Sequence, residues 1–378
     1  MRIIFVGGGA ATLVGANLLK RKRPDYEIII IEKNDKLGRK LAMTGNGKCN
    51  IAPMEDAIDF YNNPSFVESL FLSYPLRKYL DTIESLGIPL KTIRSQGYYP
   101  LSENAPNVVR ILADQLKDIQ IINDEVIDYK DLELRLKNNG TIKADKIIFA
   151  VGGKSYPSTG SDGSLFPVFW LHGYDANGLK PSLCPVKVKE NIKSLFGARI
   201  HALVSLMNKE GMEVFVEPGE VMFKKDALSG IAIMNLSSHI SHHPGTYRIR
   251  LNLLTERPFR YNPRLNNLDN ISAFVGKPLA EYIMKANDIN PNEIEVELED
   301  EINMILGSLI FTVDGLYDFD NAQVTNGGIS LYEIDDNFMS KREPNIYFIG
   351  EMLDVDGICG GFNLRFAITC AMKLVDSL

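Results

Sequence analysis

The stretch Ile3-Ile4-Phe5-Val6-Gly7-Gly8-Gly9-Ala10-Ala11 decides the fold of this chain. An apolar run of strand length ends in glycines, and a helical pattern of apolar residues begins at Ala10 and Ala11. This order predicts the first strand, turn and helix of a nucleotide-binding βαβ unit. Gly7 permits a tight turn, Gly9 lets the backbone approach a pyrophosphate, and the helix directs its N–H groups at that anion.

An acidic residue follows at the place where a ribose partner is expected. A second apolar run, from Glu27 to Ile31, ends at Glu32. A carboxylate there accepts a hydrogen bond from a ribose 2′-hydroxyl and repels a 2′-phosphate. Thr12 stands in place of the third glycine of the fingerprint, so its branched side chain either loosens the helix–strand packing or finds room within it.

Length and charge limit the classes of protein. With 378 residues the chain exceeds one typical domain, and two or three domains are expected. The net charge of −7 argues against broad nonspecific binding to nucleic acid or to an anionic membrane. The N-terminus shows no secretory leader and no apolar run reaches membrane-spanning length, so we expect a soluble, cytoplasmic protein with no membrane partner.

The cysteines predict no metal site. Cys49, Cys184, Cys359 and Cys370 form no C-x-x-C pair, which favours neither zinc nor a disulfide framework. The histidines at 239, 242 and 243 have helical spacing but precede Pro244-Gly245, where histidines suit a helix C-terminus. The basic run from Lys20 to Arg23 is likewise interpreted as the end of the first helix.

A polar, glycine-rich stretch follows the second strand, from Leu37 to Asn50. One interpretation is a solvated connector. The other, which we favour, is a loop that wraps a ligand, because Arg39, Lys40, Thr44 and Asn46 lie beside glycines and supply donors for a second phosphate or a heterocycle.

The rest of the chain alternates helical and strand patterns. Helices are predicted over 60–86, 105–116, 258–290, 301–306 and 364–377, and a turn-rich loop over 96–102. Segment 120–124 leads into short strands at 125–129, 132–136 and 141–143, which form a small antiparallel meander, and 146–151 is a buried strand. Antiparallel strands follow at 202–206, 212–216 and 247–253, and a further strand at 345–349.

The change in pattern predicts a second domain inserted within the first. We expect the first domain to occupy 1–187 and 326–378, and the insertion to occupy 188–325 with a helical subdomain at about 256–308. After the strand at 345–349, Gly350 to Gly357 forms an acidic glycine turn, and Gly360-Gly361-Phe362-Asn363 opens the last helix. This order of strand, glycine turn and helix is the same as at the N-terminus.

Ordered motifs along the whole chain carry a family resemblance. They are Gly7-Gly8-Gly9-Ala10-Ala11, Gly38-Arg39-Lys40-Leu41, Thr44-Gly45-x-Gly47-x-Cys49-Asn50, Gly97-x-Tyr99-Pro100-x-Ser102, Ala150-x-Gly152-Gly153-x-Ser155-Tyr156-Pro157, Gly219-Glu220-x-x-Phe223 with Leu228-Ser229-Gly230, Gly327-Gly328-Ile329, and Gly350-Glu351-x-Leu353-Asp354 with Gly360-Gly361-x-Asn363. With them the chain resembles the BaiN-like, aminoacetone-oxidase-like family of NAD(P)/FAD-dependent oxidoreductases.

The resemblance implies an α/β fold with a Rossmann-like FAD-binding domain of the glutathione-reductase type, split in sequence. A β-barrel-like domain carrying a small helical domain is inserted into it. FAD is the implied cofactor, held noncovalently. A helix N-terminus at the pyrimidine end of the flavin stabilises the negative charge that grows when N5 accepts hydride.

The resemblance also assigns cofactor contacts residue by residue. The pyrophosphate is implied to meet Gly7, Gly9, Ala10 and Ala11, the ribose Glu32, and the adenine the backbone of Val126. The flavin side is implied to meet Arg39, Lys40, Thr44, Cys49 and Asn50. The place where the chain crosses the cofactor a second time is implied to be lined by Ala150, Gly152 and Gly153. The ribityl chain is implied to meet Gly350, Glu351 and Asp354, and the pyrimidine end of the ring Gly360, Gly361, Asn363 and Leu364. Lys33, Gly38, Gly45 and Asn46 complete the predicted cofactor set.

The chain departs from the family on the presumed substrate side. Family members usually have other residues at Tyr98, Tyr99, Lys224, Lys225, Ala227, Ile231 and Cys359. Substrate identity therefore transfers less well than FAD binding. Tyr98, Tyr99 and Tyr156 either orient a substrate or pack in loops, and catalytic residues are left unassigned.

Two functions of different classes follow. The first is an FAD-dependent oxidoreductase acting on a small organic molecule, with NAD(P)H or oxygen as possible redox partner. The second is a flavin-binding module for RNA modification or regulation, which the acidic balance and the lack of a basic stripe disfavour. The main prediction therefore includes no nucleic-acid partner, and it leaves the substrate, the oligomeric state and the choice between oxidase and reductase open.

Overall fold

A computed structural model describes residues 1–93 and 97–378. The chain divides into two compact units, one formed by Met1–Pro181 with Gln323–Leu378 and the other by Ser182–Ala322. The sequence placed these divisions at 187/188 and 325/326. Gln96, at the start of the predicted loop 96–102, lies outside the described residues.

The regular elements are numbered here in chain order. The strands are β1 Arg2–Val6, β2 Glu27–Glu32, β3 Leu90–Ile93, β4 Gly97–Pro100, β5 Gln120–Asn123, β6 Val126–Lys130, β7 Glu133–Leu136, β8 Thr141–Lys143, β9 Lys146–Phe149, β10 Ala176–Ser182, β11 Val186–Val188, β12 Arg199–Met207, β13 Glu213–Phe223, β14 Ala227–Ser229, β15 Arg248–Asn252, β16 Leu309–Leu316, β17 Val324–Ile329 and β18 Ile346–Phe348. The helices are α1 Ala10–Lys22, α2 Pro64–Ser73, α3 Leu76–Ser85, α4 Ala105–Asp114, α5 Phe166–Leu171, α6 Ile231–His242, α7 Asn267–Val275, α8 Lys277–Ala286, α9 Glu299–Gly307 and α10 Phe362–Ser377.

The first unit is built on a parallel five-stranded sheet with the order β18-β9-β1-β2-β5. Its central strands are buried, which explains their continuous apolar sequences. β1 pairs with β2 in the register Ile3–Ile28 to Val6–Ile31. The carboxyl ends of β1, β2 and β9 therefore meet at one edge, which is where α/β sheets bind ligands.

Helix α1 packs closely on this sheet and on α10. A Cβ atom at Gly15 would lie 3.3 Å from the Ala371 Cβ and 3.4 Å from the Phe5 ring, so Gly15 provides the close approach that the fingerprint assigns to its third glycine. Thr12 is fully buried, and its hydroxyl donates to the Gly7 carbonyl at 2.6 Å. The branched side chain therefore finds room and closes the glycine turn.

One of two smaller sheets corrects the predicted local structure, and the other confirms it. The prediction of a loop over 96–102 is wrong for Gly97–Pro100, which is a strand paired antiparallel with Leu90–Ile93. β6, β7 and β8 form the predicted antiparallel meander. β5, which leads into it, belongs instead to the edge of the parallel sheet beside β2.

The second unit contains a closed barrel with the strand order β11-β14-β13-β12-β15-β16. Each neighbouring pair of barrel strands is antiparallel, and β12 and β13 form a long hairpin from Arg199–Met222 to Met207–Glu213. This unit has its own apolar core, which includes Val204, Ile249 and Phe311. The predicted Rossmann-like domain with an inserted barrel is confirmed. Over the described ranges, no helix has the length and hydrophobicity to cross a membrane.

Candidate functional site

The glycine turn after β1 leaves the start of α1 open. Gly7 has a φ of +95°, and a Cβ atom there would lie 2.6 Å from the Ala150 carbonyl oxygen, so only glycine fits. Gly9 is the N-cap of α1, no side chain caps the helix, and its first turn carries no acidic residue. A Cβ atom at Gly9 would have no neighbour within 4 Å. The start of α1 thus has open space beside Gly9 and neither a capping nor an acidic side chain, an arrangement that suits an anion.

The Glu32 carboxylate lies beside this turn. One of its oxygens accepts from the Gly8 N–H at 2.6 Å, and the other accepts from the backbone N–H and the side-chain amide of Asn34, at 2.8 Å and 2.6 Å. A carboxylate has about four lone-pair positions, so these three bonds leave one for a ligand hydroxyl. Glu32 is almost fully buried and therefore fixed in place.

Asn34 joins three parts of the site and was missed by sequence reasoning. Besides contacting Glu32, its side-chain amide donates to the Thr159 carbonyl at 3.1 Å, and its side-chain oxygen accepts from Arg39 at 2.9 Å. Gly38, which was predicted, packs here as well, because its N–H donates to the Gly8 carbonyl at 2.8 Å. The only sequence signal for Asn34 is its position two residues after the ribose acid.

An open cleft of about 450 Å³ lies at the ends of β2 and β5, and Lys33, the residue after Glu32, lines it. Polar residues line it, among them Lys33, Asn34, Asn123, Asp124 and Asp162. The Lys33 ammonium lies 2.6 Å from the Asp162 carboxylate. Burial on its own would raise the pKa of Asp162, but hydrogen bonds from Lys33 and Ser164 lower it. Glu125, which lines the cleft, directly precedes Val126, the residue predicted to meet the adenine.

Lys40 and Glu351 form a partly buried ion pair. The Lys40 ammonium lies 2.8 Å and 2.7 Å from the two Glu351 oxygens and 2.5 Å from the Ser155 hydroxyl. Glu351 also accepts from Ser155 at 2.9 Å and from the Thr325 N–H at 3.2 Å. Lys40 and Glu351 were predicted as cofactor contacts, and the structure adds that they bind each other.

Thr325 organises the turn after β9. Its hydroxyl accepts from the N–H groups of Lys154 and Ser155, at 2.7 Å and 3.0 Å. Gly153 lies so close to Thr325 that a Cβ atom there would overlap its side chain, while Gly152 has a φ of +73°. Ser155 lies in one of the motifs that carry the family resemblance, but the resemblance assigned it no role. Thr325 had no local signal, because it is distant in sequence from the turn that it stabilises.

The predicted flavin-side loop contains several left-handed residues. A 3-10 segment runs over Leu41–Gly47, and the Thr44 hydroxyl donates to the Leu41 carbonyl at 2.7 Å. Gly45, Asn46 and Cys49 have φ angles of 58°, 54° and 65°. Burial raises the pKa of the Cys49 thiol to about 11, which agrees with a packed neighbour rather than a redox thiol.

The start of α10 lies against the segment after this loop. Gly361 has a φ of +94°, and a Cβ atom there would lie 2.7 Å from both the Ala52 carbonyl carbon and the Asn50 side-chain oxygen. Gly361 is the N-cap of α10, which has no side-chain cap and no acid in its first turn. The Asn363 amide closes the preceding loop through hydrogen bonds with the N–H and the carbonyl of Gly357, at 2.9 Å and 2.8 Å. Asp354 is fixed by Asn63, whose side-chain amide donates to its carbonyl at 2.6 Å.

Predicted residues therefore group into three places in the first unit. The first contains the glycine turn, with Gly7, Gly9, Ala10, Ala11, Glu32 and Gly38. The second contains Lys40, Gly152, Gly153 and Glu351, and the third contains Asn50, Gly360, Gly361 and Asn363.

Other residues singled out in the sequence take ordinary positions. His239 and His242 end α6 and His243 caps it, and burial lowers the pKa of His239. Within 1–93 and 97–378, no group of three or more His, Cys, Asp or Glu residues is arranged to hold a metal ion. Burial raises the pKa of Tyr99, whereas Tyr98 is partly exposed and Tyr156 has a left-handed backbone with a φ of 53°.

Comparison with known proteins identifies the family. The model of the family described as HI0933-like protein Rossmann domain matches residues 1–374. The chain belongs to the HI0933-like family. This membership confirms the whole-chain resemblance predicted from the ordered motifs.

Curated relatives align along nearly the full length. The 3-dehydro-bile acid delta(4,6)-reductase of Clostridium scindens is 29% identical over 97% of this chain and 96% of its own. The ribosomal RNA dihydrouridine synthase of Escherichia coli is 25% identical over 99% of this chain and 97% of its own. The protein is thus an oxidoreductase of the flavoenzyme class, as the sequence predicted.

Solved structures share the fold. The 3-ketosteroid-delta4-(5alpha)-dehydrogenase from Rhodococcus jostii RHA1 has a TM-score of 0.53 and 10% identity, with 100% of this chain and 96% of that chain covered. At this identity the likeness concerns the fold, which is that of the Rossmann-type flavoenzymes.

Proposed function

We propose that the protein is an FAD-dependent reductase of carbon–carbon double bonds conjugated to a carbonyl group. The observation that carries the cofactor is the uncapped start of α1 at Gly9, with the buried Glu32 and an open polar cleft beside it. When bound, FAD supplies a ring nitrogen, N5, that exchanges a hydride with the substrate.

The residues of the first unit fit this cofactor. The N–H groups at the start of α1 bind the pyrophosphate, and Glu32 accepts from the adenosine ribose. The Lys40–Glu351 pair fixes two loops along the flavin half. The N-terminus of α10 stabilises negative charge at the pyrimidine end of the ring.

The substrate class follows from chemistry that two relatives have in common. A 3-oxo steroid with a delta-4 double bond, alone or extended by a delta-6 double bond, and the uracil ring of uridine both contain a C=C bond conjugated to a C=O group. Saturating either bond adds a hydride to the carbon remote from the carbonyl and a proton to the adjacent carbon. We propose that this chain reduces such a bond in a small molecule, with electrons from reduced nicotinamide dinucleotide.

RNA is the second candidate substrate. It is favoured by the whole-chain similarity to two ribosomal RNA dihydrouridine synthases, at 25% and 24% identity. Two observations disfavour RNA. The net charge is −7, and lysines of the basic run from Lys20 to Arg23 are bound within the protein. Lys20 donates to the Gln115 carbonyl and Lys22 to the Val375 carbonyl, both at 2.9 Å.

The cytoplasmic location of the protein stays a prediction.

One experiment separates these possibilities. The purified protein is loaded with FAD and reduced without oxygen by NADH or NADPH, and the flavin absorbance is followed. We then expect a 3-oxo-delta-4 steroid to restore the oxidised spectrum faster than buffer. Reoxidation by unmodified ribosomal RNA instead, with binding that weakens as salt rises, favours the second candidate. A protein that takes up no FAD contradicts both.

The proposed pyrophosphate site at the start of α1 is tested by Gly9→Ala. The new methyl group enters the open space assigned to the pyrophosphate, so we expect the Kd for FAD to rise at least about tenfold, or about 1.4 kcal/mol. Gly178→Ala is the matched control, because a Cβ atom there also meets nothing within 4 Å and Gly178 lies outside the predicted cofactor set. Equal FAD affinity of the two variants, with matching melting temperatures of the apoproteins, would contradict the assignment.

A further inference from the structure

A fully buried arginine lies behind the start of α10. The Arg365 side chain has 0% exposure, and its guanidinium donates to the two Asp56 carboxylate oxygens at 2.9 Å and 3.0 Å. It also donates to the Tyr74 carbonyl at 2.5 Å and to the Thr369 hydroxyl. The planar fork is thus held on several sides, which an ammonium group cannot reproduce.

Two aromatic rings enclose the same guanidinium. Its central carbon lies 4.0 Å from the centre of the Phe71 ring and 4.6 Å from that of the Tyr79 ring. Phe71 belongs to α2 and Tyr79 to α3. Asp56 also accepts from the Leu76 N–H at 3.0 Å, at the first residue of α3. Arg365 therefore joins α10 to the α2–α3 helix pair.

The same contacts reach the predicted flavin-side segment. The Tyr79 hydroxyl donates to the Ile51 carbonyl at 2.9 Å, so α3 holds the residue between Asn50 and Ala52. Gly361, one turn before Arg365, lies against Asn50 and Ala52. A second link runs from the Tyr61 hydroxyl to the Phe362 carbonyl at 2.8 Å.

We propose that Arg365 and Asp56 are positioning residues that hold the N-terminus of α10 in register with the Asn50–Ala52 segment and thereby set the reduction potential of the flavin. This inference rests on the proposed function, which places FAD at these two segments. Neither residue needs to touch the cofactor. They act by fixing the distance between the helix N–H groups and the ring.

The physical reason is the short range of a helix terminus. Its favourable effect on negative charge falls off within the first turn, and Coulomb energy in a dry site depends steeply on distance. The reduced ring carries more negative charge than the oxidised one. A loosened helix start therefore lowers the affinity for reduced flavin more than the affinity for oxidised flavin.

The test compares Arg365→Lys and Asp56→Asn with the natural protein. Each is loaded with FAD, and its reduction potential is measured by equilibration with a redox dye. We expect the ratio of affinities for reduced and oxidised flavin to fall about tenfold, which moves the potential about 30 mV negative for a two-electron couple. Asp56→Asn keeps the size of the side chain and serves if Arg365→Lys does not fold.

Arg342→Lys is the matched control. Arg342 also binds a carboxylate through two nitrogens, that of Glu333, in the same unit but outside the predicted cofactor set. We expect it to lower the melting temperature without moving the potential. If Arg365→Lys and Asp56→Asn bind FAD and melt earlier but keep the natural potential, their role is only structural and the proposal is overturned. If the natural protein takes up no FAD, the proposed function fails first.

Discussion

Burial determines the chemistry of individual cysteines. Cys49, Cys184 and Cys370 are buried, whereas Cys359 is partly exposed. Burial raises the pKa of the Cys49 and Cys184 thiols to about 11 and that of Cys370 to about 12. Because the thiolate is the reactive form, these three residues are chemically protected in the folded protein.

We therefore expect one reactive thiol in the native protein. At pH 8 a thiol with a pKa of about 11 is ionised in roughly one molecule in a thousand, and burial blocks the reagent as well. Titration with an aromatic disulfide should modify Cys359 alone, and all four cysteines once guanidinium unfolds the chain. Cys359→Ser should abolish the native reaction. A fast reaction that survives this substitution would show that a buried thiol is accessible.

Among the structural elements, the short turn Leu331–Glu333 is fixed by an ion pair. Glu333 accepts from Arg342 at 2.7 Å and from the Asp175 N–H at 2.9 Å. The hydrogen bonds from Arg342 hold the pKa of Glu333 below its ordinary 4.5, against the opposing effect of burial. A lowered carboxylate pKa means that folding favours the charged form.

The pair should stabilise the fold above pH 4.5 and lose this effect as the pH falls through the lowered pKa of Glu333. Arg342→Met is therefore expected to lower the melting temperature by about 2–4 °C at pH 7 and by progressively less below pH 4.5. Thermal melts at half-unit steps from pH 7 to pH 3 provide the measurement. The Arg342 guanidinium carbon lies 6.0 Å from the centre of the Tyr174 ring. A difference in melting temperature that stays constant over this pH range would mean that the loss comes from this packing and not from charge.

In the whole molecule, the predicted cofactor site belongs to one of the two compact units. Every predicted cofactor residue, from Gly7 to Leu364, lies in Met1–Pro181 or Gln323–Leu378. The chain leaves and re-enters this unit through β10 and β17, which pair with each other. The barrel unit has a separate core and closes its own sheet.

Replacing residues 183–322 by a short Gly/Ser linker should therefore leave cofactor binding largely intact. We expect the Kd for FAD to stay within about tenfold of the natural value, or about 1.4 kcal/mol, while reduction of the substrate is lost. Fluorescence titration with FAD and circular dichroism check binding and folding. A folded chain that no longer takes up FAD would place part of the cofactor site in the barrel unit.

Local patterns predicted the framework of this protein. The strand, glycine turn and helix from Ile3 to Leu19 and the glycine-started helix α10 are encoded within a few consecutive residues, through apolar periodicity and glycine φ angles. A change in periodicity also predicted an inserted second domain, and the family resemblance implied that this domain is barrel-like. By contrast, the local sequence predicts a loop at Gly97–Pro100, because the strand conformation of this segment depends on pairing with Leu90–Ile93.

The nucleotide-binding turn follows from short-range order in the sequence, whereas the family and the fold class follow from motifs ordered along the whole chain. Only the tertiary structure decided which side chains meet. Lys40 and Glu351 are 311 residues apart, and Asp56 and Arg365 are 309 residues apart. No periodicity or spacing reports contacts of that range, since they exist only after the sheet has brought β1, β2, β9 and β18 together.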